Sequence, residues 1–305
     1  MTCIDKLRFG GEGLLGVWGH PRFRLAKVDI ADYAQVDDIF NNGEYFAVIH
    51  LAAIVGDPAC SAEPELAKKT NWDASVHILE KAMRAGIARF IFASTCSNYG
   101  KMAVSEGYVD ENAPLAPVSL YAELKVRFEK LVLSKRDEMG KFSPTALRFA
   151  TVHGISPRMR FDLTVNEFTK ELALGKELVV FGEKQWRPYC HVQDFSRAMM
   201  TVLKAREEAV AYKVFNVGDT GENYTKEMIV DELSLQIPKA KVRFVRKEGD
   251  DRNYRVNFDK IKRDLGFSIS KTVPEGIKEI LYCIKSSVIR NPDSQRYYNI
   301  ARKQE

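Results

Sequence analysis

The chain has 305 residues, 45% of them hydrophobic and 29% charged, enough to bury a full core as one large domain or one plus a smaller lobe. No apolar run approaches the length of about 18 residues that a membrane span needs, and the first residues lack the basic and apolar regions of a secretion signal, so neither a membrane partner nor export is expected. The net charge of +5 is spread over interleaved acids and bases, which argues against a nucleic-acid partner; five scattered cysteines without a CxxC read as reduced cytoplasmic thiols, with no disulfide framework and no metal site.

In chain order, Ile4-Asp5 reads as the end of a strand bearing an acid, and Lys27-Val-Asp29-Ile30 as another. Between them, Gly10-Gly11-Glu12-Gly13 has no strand of its own leading into it and is soon followed by His20-Pro21, so it reads as a loop. Phe46-Ala-Val-Ile-His50 is a short apolar strand, followed by an amphipathic segment over residues 63–85. Next come the strand Arg89-Phe-Ile-Phe-Ala-Ser94, a helix over 121–136, the strand Thr145-Ala-Leu-Arg-Phe149, a helix over 194–205 and the strand Val214-Phe-Asn-Val217. Strands that alternate with helices and are apolar on both faces predict an α/β fold, a doubly wound parallel sheet covered on both sides. Beyond Gly154, Gly/Pro-marked loops and short helices predict a smaller α/β lobe over the carboxyl ends of the strands, where ligands of open sheets bind.

Tyr121-Ala-Glu-Leu-Lys125 carries the first chemical signal. Residues i and i+4 share a helix face, so the phenol and the ammonium can point into one cleft. A phenol titrates near pH ~10 and is a poor base at neutrality, but a neighbouring ammonium favours the phenolate and makes it a usable proton relay. Some 25 residues earlier, Ser94-Thr-Cys-Ser-Asn-Tyr-Gly100 runs a strand into a hydroxyl-rich turn, where a hydroxyl can bond a substrate oxygen as it changes between alcohol and ketone.

With these motifs the chain resembles the extended short-chain dehydrogenases, which include nucleotide-sugar epimerases, dehydratases and ketoreductases. The resemblance rests on Val48-Ile-His-Leu-Ala-Ala53, Asn71, Ser94-Thr95 with Tyr99-Gly100, and Tyr121 with Lys125. It continues through Leu147-Arg-Phe-Ala-Thr-Val-His-Gly154, Trp186-Arg-Pro-Tyr-Cys-His-Val-Gln-Asp194, Phe215-Asn-Val-Gly218 and Asp259-Lys-Ile-Lys-Arg-Asp-Leu-Gly266. It implies a Rossmann-like NAD-binding domain over 1–154 plus about 187–218, with a substrate lobe over about 155–186 and 219–305. Thr95, Tyr121 and Lys125 would be catalytic. Asp5 would hold the adenosine ribose, Asp29 and Ile30 the adenine, and Leu51, Ala52 and Ala53 would run along the cofactor, with Asn71, Ser94 and Ala150 also at it. Thr95, Thr151, Asn166, Arg187, Lys247 and Arg252, with Arg246 beside them, would take the nucleoside-diphosphate sugar; Arg suits a diphosphate because its planar fork bonds two oxygens at once. The resemblance also implies a homodimer through the helix of Tyr121 and the helix before it.

Two departures from the family pattern bear on function. In the 4,6-dehydratases an Asp-Glu pair follows the active-site Thr and drives water loss; here Cys96-Ser97 follows Thr95, which favours 4-epimerisation or reduction of a keto sugar. A thiol at Cys96 could carry a proton in a 3,5-epimerase/reductase or simply be a buried apolar Cys. The family's first strand and GxxGxxG turn, expected before Asp5 and mid-sheet between the strands ending at Asp5 and His50, are not found. The expectation is a truncated frame of a full-length enzyme, or else a decayed, non-catalytic binding protein; the intact catalytic set favours the first.

Overall fold

β-Branched and aromatic runs bounded by glycine, proline or charge form the strands, and the longer segments between them form the helices. The structure, a computed structural model, describes residues 1–101, 107–136, 141–245 and 252–300. The strands are β1 (Thr2–Asp5), β2 (Arg24–Lys27), β3 (Ala47–His50), β4 (Arg89–Thr95), β5 (Ser143–Phe149), β6 (Thr151–His153), β7 (Glu177–Phe181), β8 (Trp186–His191), β9 (Lys213–Val217), β10 (Asn223–Thr225) and β11 (Lys241–Val245). The helices are α1 (Tyr33–Asn41), α2 (Asp57–Ala62), α3 (Pro64–Lys68), α4 (Ser75–Arg84), α5 (Leu120–Ser134), α6 (Thr164–Ala173), α7 (Val192–Lys204), α8 (Glu207–Val210), α9 (Lys226–Gln236), α10 (Asp259–Leu265) and α11 (Val273–Lys285). The amphipathic segment over 63–85 is α3 and α4 joined by a π turn, Lys69–Ala74. No helix among the described residues is long and apolar enough to cross a membrane.

The chain forms two compact units. One comprises Met1–Ser94, Ser119–Leu147 and Val202–Val214; the other comprises Thr95–Val118, Arg148–Thr201 and Phe215–Glu305. In the first, β1 and β2 pair in parallel, and β3, β4, β5 and β9 form a separate sheet in that order, with β3 and β4 parallel. Phe90 and Phe92 of β4 bury against Val36 and Phe40 of α1, Leu79 of α4, and Phe128 and Val132 of α5. Ile4 of β1 and Ala26 of β2 pack on the same cluster, so both sheets rest on one core. Among the described residues β1 pairs only with β2, and β3 is the edge of its sheet, with Ile49 and Leu51 exposed. The strand expected between those ending at Asp5 and His50 has no counterpart there.

In the second unit β8 pairs in parallel with β6 and antiparallel with β10, and β7 pairs in parallel with β11. Val165 and Phe168 of α6, Ile229 and Leu233 of α9, and Val273 and Ile277 of α11 close over Leu178, Val180 and Tyr189. Residues 95–118, assigned with the sheet domain from sequence, group here because their polar groups do. Tyr99 O–H donates to Asn216 Oδ1 at 2.7 Å, the Asn216 N–H donates to Glu111 Oε1 at 2.7 Å, and Val109 bridges Val256. Gly100 is required at its position: φ is +62° and an added Cβ would lie 1.8 Å from the Ala116 carbonyl oxygen.

Candidate active site

Helix α5 starts where the Ser119 hydroxyl oxygen accepts the Ala122 N–H at 3.3 Å while its O–H donates to Asp57 at 2.6 Å, an N-cap held from two sides. Tyr121, Lys125 and Glu129 then recur every fourth residue along one face. Tyr121 is half-buried, whereas Lys125 and Glu129 are 5% and 2% exposed. The Lys125 ammonium donates to the Ala93 carbonyl at 2.7 Å and lies 4.7 Å from the Phe92 ring centre and 5.9 Å from that of Tyr121. Burial draws its pKa down to about 8, a lowering that Cys60 partly opposes. The helix thus brings Lys125 and Tyr121, the pair named from the sequence, to one face.

Of the residues assigned to the cofactor, Asp5, Asp29, Ile30, Leu51, Ala52 and Ala53 lie at or just after the carboxyl ends of β1, β2 and β3. Asp5 is exposed at the end of β1, with one carboxylate oxygen taking the Leu7 N–H at 2.6 Å. Asp29 binds the Ala31 N–H and the Lys6 ammonium, both at 3.0 Å; burial pulls its pKa upward, but these two partners outweigh it and hold the carboxyl below its usual range. Ile30 is in the core, Leu51 is half exposed, and Ala52 and Ala53 are half-buried. Asn71, inside the π turn, accepts the Ile54 N–H at 2.7 Å and donates to the Ile54 carbonyl at 2.9 Å, pinning the segment that follows Ala53. Single π turns of this kind are common at functional sites. Ser94 turns its hydroxyl toward Glu129, a residue the sequence reading passed over.

An exposed carboxylate for ribose hydroxyls, small side chains after β3 and the Tyr121/Lys125 pair fit the adenosine and nicotinamide ends of a dinucleotide. Gly10, Gly11 and Gly13 sit in a run of turns around a 3₁₀ segment (Glu12–Leu14), as the loop reading expected, and not at the start of an α-helix that could meet phosphates.

In the second unit, Thr95 accepts the Ser97 N–H at 3.1 Å and so caps the 3₁₀ turn Cys96–Tyr99, an arrangement that leaves its hydroxyl hydrogen to be donated. The Cys96 thiol is 1% exposed and points at the Arg148 carbonyl, 3.2 Å away. Ala150 is buried, with its N–H on the Val217 carbonyl, and Thr151 stands opposite Tyr189 in β8. Asn166 is 2% exposed and spends its amide on the Gly154 N–H and the Arg160 carbonyl, so here it braces a loop. Arg187, 8% exposed, donates to the carbonyls of Trp186 and Arg252 at 2.7 and 2.5 Å and stacks on Tyr254. Arg246 and Lys247 lie outside the described residues.

Other motif residues are explained by packing. Asp194, fully buried, accepts the backbone N–H groups of Ser270 and Lys271 and the Ser270 hydroxyl. His191 pairs with Glu279 of α11, and Gly266 ends α10 in the left-handed region.

Residues 4–218 match the model of the NAD dependent epimerase/dehydratase family. The chain belongs to that family. It is similar to dTDP-glucose 4,6-dehydratase of Streptomyces griseus, at 28% identity over 284 residues that cover 91% of the chain and 83% of that protein. It is also similar to UDP-glucuronate 4-epimerase of Thermodesulfobacterium geofontis, at 25% identity over 269 residues, 87% of the chain and 80% of that protein. Among solved structures, UDP-glucose 4-epimerase of Thermotoga maritima with UDP-glucose superposes with a TM-score of 0.80 at 25% identity, covering 94% of the chain and 91% of its own.

Proposed function

We propose that this chain is an NAD-dependent nucleotide-sugar epimerase acting at the sugar's C4. One observation carries the reading: the buried Lys125 ammonium lies beside Tyr121 on the inner face of α5, while the residues after Thr95 are Cys96 and Ser97. Removing water from the sugar needs an acid and a base of its own, and neither residue is a carboxylate. The Cys96 thiol faces the Arg148 carbonyl in the core, which argues against a proton-carrying role for it.

In this reading the Tyr121 phenolate takes the proton of the C4 hydroxyl and gives it back after the ketone has turned its other face. Lys125 stabilises the phenolate, and Thr95 is assigned a hydrogen bond to the sugar's reacting oxygen. A bound NAD would supply the acceptor and donor for the C4 hydride. Asp5, Asp29, Ile30, Leu51, Ala52, Ala53, Asn71, Ser94 and Ala150 form its surroundings, and the Asp5 carboxylate disfavours a 2′-phosphate on the ribose. Thr151, Asn166, Arg187, Lys247 and Arg252 are assigned to the nucleoside-diphosphate sugar, which the likeness to UDP- and dTDP-sugar enzymes supports. A homodimer through α5 and the helix before it, in a cytoplasm that keeps the five cysteines, none in a disulfide, reduced, completes the proposal.

The test is Tyr121→Phe. Turnover is expected to fall by about 10²–10⁴ while nucleotide-sugar binding persists; turnover at the wild-type rate contradicts the assignment. A chain that instead consumes reduced cofactor with a keto sugar is a reductase.

A further inference from the structure

Glu129 has no part in the chemistry above, yet the residue is only 2% exposed. Burial of such a group is strongly disfavoured unless it is hydrogen-bonded. The Ser94 O–H donates to it at 2.5 Å. Ser94 is itself 3% exposed and follows Ala93, whose carbonyl takes the Lys125 ammonium. Two consecutive residues of β4 are therefore held from two consecutive turns of α5. The other buried residues of α5, Ala122, Leu124, Val126, Phe128 and Val132, are apolar. Apolar contact is non-directional and does little to set how deep a helix lies or how far it is rolled; two hydrogen bonds one turn apart set both.

We propose that the Ser94–Glu129 bond is a positioning device for the catalytic pair, fixing the depth and roll of α5 on β4 so that Lys125 stays beside Tyr121. The proposal rests on the catalytic reading of Tyr121. Slippage by one residue along the helix axis moves Tyr121 by about 1.5 Å, and a misplacement of about 1 Å can cost about 100-fold in rate. Glu129 acts through Lys125 and Tyr121 and is a positioning residue, not a catalytic one.

The experiment compares the wild-type chain with Ser94→Ala, Glu129→Ala and Glu129→Gln. The measurements are kcat, KM and their pH profiles with NAD and a UDP-hexose, plus the pH dependence of Lys125 acetylation by trace acetic anhydride, read by mass spectrometry. Ser94→Ala and Glu129→Ala are expected to lose about tenfold or more in kcat, with KM within about threefold. In both, Lys125 acetylates faster and titrates closer to an ordinary lysine, while Glu129→Gln, which keeps an acceptor oxygen, stays within about threefold of the wild-type kcat. Ser94→Ala deletes a single oxygen and serves if Glu129→Ala does not fold. Folded variants with wild-type kcat, pH profile and Lys125 labelling overturn the proposal. If the wild type turns over nothing but Lys125 labelling still moves in Ser94→Ala, the catalytic reading fails and the positioning stands. If the wild type is active, Tyr121→Phe is dead and both deletion variants match the wild type, the positioning alone fails.

Discussion

Lys125 fastens helix α5 to strand β4 through the Ala93 carbonyl, 2.7 Å from its ammonium, one helical turn from Tyr121. The bond holds a positive charge within 5.9 Å of the Tyr121 ring centre in a site where burial has already drawn that charge's pKa down to about 8.

The pH dependence of turnover follows from that placement. Below about pH 8 Lys125 is charged and supports the Tyr121 phenolate; as pH rises through about 8 the charge is lost and the phenol becomes harder to ionise. kcat is expected to fall on that alkaline limb. Lys125→Arg stays charged throughout, so its limb moves to higher pH, at a lower kcat because a guanidinium does not reproduce the ammonium's fit to Ala93. A kcat–pH profile of the two proteins checks this, and an unmoved limb in Lys125→Arg excludes Lys125 as its source.

His153 sits at the end of β6, 1% exposed, with neither ring nitrogen hydrogen-bonded and its ring edge-on to His191 at 5.4 Å. Burial, then the neighbouring His191, pulls its pKa from 6.5 to about 3. The folded state thus binds fewer protons than the unfolded one, and stability is complete above pH 6.5 and is lost as pH falls from there toward 3. Each pH unit in that window removes about 1.4 kcal/mol per such histidine. His153→Phe removes the titration and two unpaired polar atoms. Denaturant melts should show the variant's stability relative to wild type higher near pH ~5 than near pH ~8; equal acid sensitivity in the two proteins contradicts the assignment.

Glu222 shifts the other way. Its carboxylate accepts the Val273 N–H at 2.7 Å, but burial, with Asp219, Glu232 and Glu275 adding to it, pushes its pKa up to about 7. A carboxyl raised above its unfolded value of 4.5 weakens the fold as pH climbs from 4.5 toward 7. Glu222→Gln keeps an acceptor for Val273 and carries no charge. It should match wild type near pH ~4 and exceed it near pH ~8, again by denaturant melts; the reverse order would show that the charged form is the stabilising one.

What could be read from the sequence followed how local each feature is. Tyr121 and Lys125 were legible because i and i+4 on a helix is a rule within one segment, and the strands near 46–50, 89–94 and 145–149 because each is a continuous apolar run. Glu129, between Phe128 and Lys130, looks like any solvated acid; its role depends on Ser94, 35 residues earlier. Asn71 was flagged by family pattern, but the π turn that aims its amide at Ile54 has no periodic signature. Asn166 and Arg187 carry the residue types a diphosphate needs, while their bonds to Gly154 and to the carbonyls of Trp186 and Arg252 arise only once the loops fold back on them.

The most direct test of the proposed chemistry follows the hydrogen at C4. Incubating the protein with NAD and a UDP-hexose deuterated at C4, in ordinary water, and reading the product by NMR reports whether that hydride is removed and returned. The expected result is the C4 epimer with its deuterium retained; loss of water from the sugar, or no turnover of any UDP- or dTDP-hexose, contradicts it.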